Sequence, residues 1–111
     1  MLPKRSRLNL TKDFSFVSSG KRLETANFRL VFKNGQNDHP LVGVALTKKS
    51  FRKASLRNRA RRLSSEAIQR LYPRLKENLN LVIMPKSQIL SQKVEDLTKE
   101  LEGVRDLYQP D

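Results

Sequence analysis

Leu56, Ala60, Leu63, Ala67 and Leu71 recur at intervals that, at about 100° per residue, place them on one narrow stripe of a helix. Arg57, Asn58, Arg61, Arg62, Ser65 and Gln69 occupy the opposite arc. Any fold containing this segment must bury the stripe and leave the arc outside. A basic run leads straight into the helix. From Lys48 to Arg62, KKSFRKASLRNRARR, the chain carries eight cations, Lys48, Lys49, Arg52, Lys53, Arg57, Arg59, Arg61 and Arg62, and no acid. A solvated face normally mixes both signs, because like charges four residues apart, such as Arg57 and Arg61, destabilise a lone helix. A bound polyanion reverses that penalty. Arginine suits phosphate because its planar fork donates two parallel hydrogen bonds, never loses its charge and stacks on an unpaired base. Asn58 adds a group able to bond a base or a 2′-hydroxyl.

The placement of charge says more than the net +12. Residues 1–62 hold sixteen Lys and Arg against Asp13, Glu24 and Asp38, a net +13, whereas residues 63–111 hold seven against eight acids, a net −1. The binding surface is therefore expected in the first half. With no cysteine, disulfide scaffolds, thiolate metal sites and cysteine nucleophiles are excluded. The single histidine, His39, rules out a histidine pair for zinc or for acid and base catalysis; before Pro40 it reads as a surface turn residue. No catalytic residue and no protein-borne metal site is expected. No apolar run approaches the length of about eighteen residues that a membrane span needs, and MLPKRSRL lacks an apolar signal region. The reading is a cytoplasmic protein without a membrane partner.

At 111 residues, 37% of them hydrophobic, the chain suits one domain with a modest core. Residues 1–9 read as a basic arm bearing Lys4, Arg5 and Arg7, mobile until bound. Leu10, Phe14 and Val17 predict a helix from about Thr11, its cap, to Ser18, ended by Gly20. Ala26, Phe28, Leu30 and Phe32 alternate with Asn27, Arg29, Val31 and Lys33, predicting a strand from Glu24 to Lys33. After the Asn34-Gly35 turn a second strand, Leu41 to Thr47, is expected to pair antiparallel with the first; Gly43 within it marks a bulge or a close backbone approach. Tyr72-Pro73 stops the basic helix, and Leu79 to Met84 reads as an interior strand. Val94, Leu97, Leu101 and Val104 give a last helix begun near Ser91, with Lys93, Glu95, Asp96, Lys99, Glu100 and Glu102 on its wet side. The tail RDLYQPD is expected to fray. The class is α+β, a small sheet with helices upon it. The strands at 41–47 and 79–84, joined by the basic helix, form a β-α-β unit in which a parallel pair would normally cross over right-handed.

The run KKSFRKASLRNRARRLSSEAI resembles the basic signature of the protein subunit of bacterial ribonuclease P: two lysines, a short turn, then K-A-x-x-R-N-R-x-[KR]-R at the head of a helix. Lys48, Lys49, Lys53, Ala54, Arg57, Asn58, Arg59, Arg61 and Arg62 match it. KRSRLNLTKDFSFVSSGKR, HPLVGVALTKK and LNLVIMP follow the family's order and spacing more loosely, so the likeness covers nearly the whole chain. It implies an α-β-β-β-α-β-α sandwich with a left-handed β-α-β crossover, shared with a domain of certain ribosomal proteins and translation factors.

The resemblance also implies that Lys48, Lys49, Arg52, Lys53, Arg57, Asn58, Arg59, Arg61 and Arg62 touch a catalytic RNA. A cleft between the first helix and one sheet face would hold the single-stranded 5′ leader of precursor tRNA, with Phe14, Phe16, Phe28 and Arg29 as its candidates. Packing competes as an explanation for Phe14 and Phe28, which fall on core stripes. Ser18 and Val31 stand where the family more often has aromatics. Mg²⁺ would be held by RNA oxygens, with one protein copy per RNA. Two other classes remain open: a structural ribosomal or ribosome-assembly protein, and a free-standing nuclease or DNA-binding module, although a nuclease would need a carboxylate cluster or histidines that the basic half lacks, and the basic helix shows no helix-turn-helix partner for DNA.

Overall fold

The structure, a computed structural model, describes residues 2–109. Its elements run α1 (Leu10–Ser18), β1 (Lys21–Glu24), β2 (Phe28–Asn34), β3 (Leu41–Val44), α2 (Ala54–Leu71), β4 (Leu79–Pro85) and α3 (Val94–Glu102). This is the predicted α-β-β-β-α-β-α order. The sheet order is β1-β2-β4-β3, with β4 antiparallel to β2 and parallel to β3. The expected antiparallel pairing of the second and third strands is therefore corrected: β4, last in sequence, lies between them. The predicted strand from Glu24 to Lys33 is also two strands, β1 and β2, paired with Leu23 opposite Leu30.

Both sheet faces are covered, and unequally. Phe28, Leu30 and Phe32 of β2, Val42 of β3 and Leu79, Leu81 and Ile83 of β4 pack beneath Ala60, Ala67, Ile68 and Leu71 of α2 and Leu97 and Leu101 of α3. The alternation in β2 predicted this face. On the other face Val31 and Val82 are closed over only by Leu8 and Val17, with Leu10, Leu41, Ala45 and Met84 partly buried around them. Gly43 lies on this thinner side, where a Cβ would stand 2.8 Å from Leu10 Cδ2. A side chain here would have to push the Leu10 methyl at the start of α1 aside, so the glycine marks a close approach, and β3 runs through it without a bulge.

Several local expectations change. Asn9, not Thr11, caps α1, its side chain accepting from the Lys12 N–H at 3.1 Å. The basic arm is docked rather than loose: Leu2, Ser6 and Leu8 are buried, and the Leu8 N–H donates to the Val42 carbonyl at 3.0 Å, laying the segment along the outer edge of β3. His39 fastens it, with Nε2 2.8 Å from the Arg5 carbonyl and Nδ1 2.6 Å from Asp38. The tail is ordered through Gln109: Leu107 is fully buried and the Tyr108 hydroxyl donates to the Leu101 carbonyl at 2.6 Å. Burial pushes that phenol up to about 12. The last two residues of the predicted tail lie outside the described residues. Glu100, placed on the wet side by sequence, instead accepts from Thr25 Oγ1 (2.5 Å), Asn27 N–H (2.8 Å) and Asn27 Nδ2 (2.7 Å), clasping the β1–β2 turn.

Candidate nucleic-acid interface

The basic segment leaves β3, turns, and enters α2. Phe51, 1% exposed, is the anchor of the turn. It seats the loop in the core while Lys48, Lys49, Arg52 and Lys53 on either side stay exposed. The sequence reading passed over it, although a single aromatic inside a run of cations is a signal. Arg57 Nη1 then donates to the carbonyls of Phe51 (2.9 Å) and Arg52 (3.1 Å), so one of the predicted RNA-binding arginines also holds the loop's shape. Arg59 and Arg62 are exposed, Arg61 is half-buried, and Asn58 Oδ1 accepts from Arg61 Nη1 at 3.3 Å. No side chain caps α2 among the described residues. Its first N–H groups thus open beside the lysines, an arrangement that favours phosphate.

None of the eight cations between Lys48 and Arg62 forms an ion pair among the described residues. Elsewhere Arg70 is paired with Glu95, Arg74 with Glu102, Lys21 with Asp106 and Lys86 with Glu24. Lys86 and, more weakly, Arg29 hold the Glu24 carboxyl below the ordinary carboxylate range. The predicted stripe of α2 holds from Ala60 to Leu71, but Leu56 is 36% exposed: the first helical turn projects past the core and carries its arginines with it. Ser65, assigned to the outer arc, is buried instead.

The sheet face that α1 only partly covers opens into a groove of about 620 Å³ lined by Arg29, Thr47, Lys49, Met84, Lys86 and Gln88, among others. It joins the basic loop through Lys49. Of the predicted leader-cleft residues, Arg29 lies here, while Phe14 and Phe16 are 40% and 44% exposed on α1. The two rings are not brought together, since positions two apart on a helix diverge. Phe16 lies under Lys33, whose Nζ is 4.5 Å from the ring centroid. Phe28 is corrected: it is completely buried on the opposite face, beneath α2 and α3, because the period of two puts it with Leu30 and Phe32. Val31 is also buried, under α1, and Ser18 turns its hydroxyl back to the Ser15 carbonyl at 2.9 Å. Lys4, Arg5 and Arg7 are exposed along the docked segment.

A model of the family described as Ribonuclease P matches residues 2–108. The chain belongs to the ribonuclease P protein family. It is 33% identical over 103 residues to the ribonuclease P protein component of Synechocystis, covering 91% of this chain and 83% of that one. It is 40% identical over 80 residues to that of Pseudoalteromonas translucida, covering 72% of this chain and just over half, 56%, of the relative's length. An RNase P protein from Thermotoga maritima superposes with a TM-score of 0.77 at 22% identity, covering 95% of this chain and all of that one. One from Staphylococcus aureus does so with 0.77 at 18%, covering 94% and 98%. At those identities the superpositions speak for the fold. Membership in the ribonuclease P protein family does not favour the alternative of a structural ribosomal protein. Among the described residues no three His, Asp or Glu side chains converge, so the chain's own groups do not fit a Mg²⁺ site, and no helix is long and apolar enough to cross a membrane.

Proposed function

We propose that this chain, a ribonuclease P protein component working in the maturation of tRNA 5′ ends, contributes no nucleophile or general base, and that the RNA it binds performs the cleavage in the cytoplasm. One protein copy binds one catalytic RNA, which also holds the Mg²⁺. Lys48, Lys49, Arg52, Lys53, Arg59, Arg61 and Arg62, with Asn58, contact that RNA, and Arg57 both contacts it and shapes the loop. The 5′ leader of precursor tRNA crosses the groove past Arg29, with Phe14 and Phe16 offering faces for unstacked bases. The exposed Lys4, Arg5 and Arg7 lie on phosphates.

The observation that carries this reading is the set of eight cations, without an ion pair among the described residues, that stand on the loop anchored by Phe51 and on the uncapped first turns of α2. Left alone they repel one another. Phosphate neutralisation relieves that, and its release of counterions makes affinity fall with salt. The test is cleavage of a precursor tRNA by rigorously RNA-free protein, by ribonuclease P RNA alone and by the two together at low Mg²⁺. Only the pair should cleave efficiently. Clean cleavage by the protein alone overturns the reading.

A further inference from the structure

A second cavity, of about 220 Å³, lies at the outer edge of β3, between the docked N-terminal segment and α2. It is separate from the groove on the sheet face, and at ~30 Å³ per liquid water it has room for roughly seven waters. Leu2, Leu8, Leu10 and Val42 give it apolar walls, and Arg7 and Arg61 stand at it from opposite elements. Three features give this pocket a polar side that packing alone does not need. The Ala45 N–H donates inward to Ile83 at 2.9 Å, so the N–H and C=O of Val44 point outward, on the side where the Val42 carbonyl meets Leu8. Beyond Leu8 the covering segment departs into α1, and among the described residues no partner reaches the Val44 pair. Ser65, 4% exposed as a residue, lines the same wall, and its hydroxyl, bonded to no protein group among the described residues, opens to the pocket and is not an orphaned buried atom. Arg7 spends Nε on the Leu2 carbonyl at 2.9 Å, leaving its two terminal nitrogens.

We propose that this pocket receives one unstacked nucleotide of the partner RNA. The proposal rests on the reading of the basic helix as an RNA surface and adds a base-reading site to it. The ring enters against the leucines and Val42. Its hydrogen-bonding edge meets a donor and an acceptor on the Val44 backbone and the Ser65 hydroxyl, and the flanking phosphates meet Arg7 and Arg61. Unpaired bases are recognised by this combination of apolar contact and edge bonding. The site is continuous with the α2 arc through Arg61, so an RNA lying on that arc passes its mouth.

The test titrates the full chain with AMP, GMP, CMP, UMP and inorganic phosphate while amide resonances are followed by NMR, then measures affinity for ribonuclease P RNA across a range of salt. Nucleotides should move Val44, Leu8 and Ser65, and phosphate alone should leave Val44 in place. Ser65→Leu, which fills the pocket, should abolish the nucleotide shifts. It should also weaken RNA binding about tenfold, the loss expected when one base is no longer held, without changing the salt slope. Ser65→Ala, a milder change that removes only the hydroxyl, should weaken the nucleotide shifts while the thermal midpoint holds. If nucleotides and phosphate move the same resonances, or if both variants bind RNA as the parent does, the pocket is overturned while the reading of the basic helix stands. A parent protein whose RNA affinity ignores salt would overturn that reading instead.

Discussion

The two faces of the sheet are built to different standards. Beneath α2 and α3 twenty residues form one continuous buried hydrophobic cluster, whereas under α1 the buried hydrophobic cluster among the described residues is Leu8, Val17, Val31 and Val82. The first face accounts for stability. The second, roofed by a nine-residue helix with two half-exposed phenylalanines, leaves room for a ligand. A domain this small cannot seal both faces and keep a groove, so the sheet serves as a wall of the core on one side and as the floor of an open groove on the other.

The largest effect should come from the sealed face: Phe28→Ala is expected to lose about 3–5 kcal/mol of stability in urea unfolding, and Val31→Ala clearly less. Equal losses would erase the distinction between the faces. Next, Arg57→Ala should cost about 1.5–3 kcal/mol as its bonds to the Phe51 and Arg52 carbonyls vanish. It should also shallow the log affinity against log salt slope by about 0.7–0.9. Arg61→Ala should change the slope alike but the stability little; if the two variants unfold together, the loop is not held by Arg57. On the open face, Phe14→Ala should weaken binding of a leader-bearing precursor by about 1–3 kcal/mol and move unfolding by less than about 0.5 kcal/mol. A large stability loss there would mean that Phe14 belongs to the core after all.

The smallest effect concerns His39. Its hydrogen bond to Asp38, then that to the Arg5 carbonyl, raises it above the ordinary imidazole value of 6.5. A raised folded value favours the protonated ring. Its contribution is thus complete below about 6.5 and fades as pH climbs through the folded value. The N-terminal segment should therefore loosen slightly in alkali, seen as a falling protection factor at Leu8 once the intrinsic hydroxide-catalysed exchange rate is divided out, and His39→Gln should flatten that fall.

Much of this was legible in the chain. The period of 3.6 placed α2, the period of two placed β2, the short apolar run before Pro85 placed β4, and the acid-free run from Lys48 to Arg62 marked the basic stretch. What escaped was long-range. Nothing local in LNLVIM says that it inserts between β2 and β3, because periodicity reports which face is buried and not which strand is the neighbour. Glu100 reads as solvent-facing on its own helix; only the arrival of Thr25 and Asn27 gives it acceptor work. Phe28 and Phe14 both fell on apolar stripes, and only the unequal cover of the two faces separates the core residue from the exposed one.

That insertion bears on how the chain is born. While a ribosome has delivered only the first three strands, β1 and β2 can meet as a hairpin, but β3 has no neighbour in the sheet, and it gains one only when residues 79–85 emerge. The final seal waits longer still, for Leu107 and Tyr108. Until then the cationic loop is displayed on an unfinished core with an unpaired β3 edge, the kind of species most prone to non-native association.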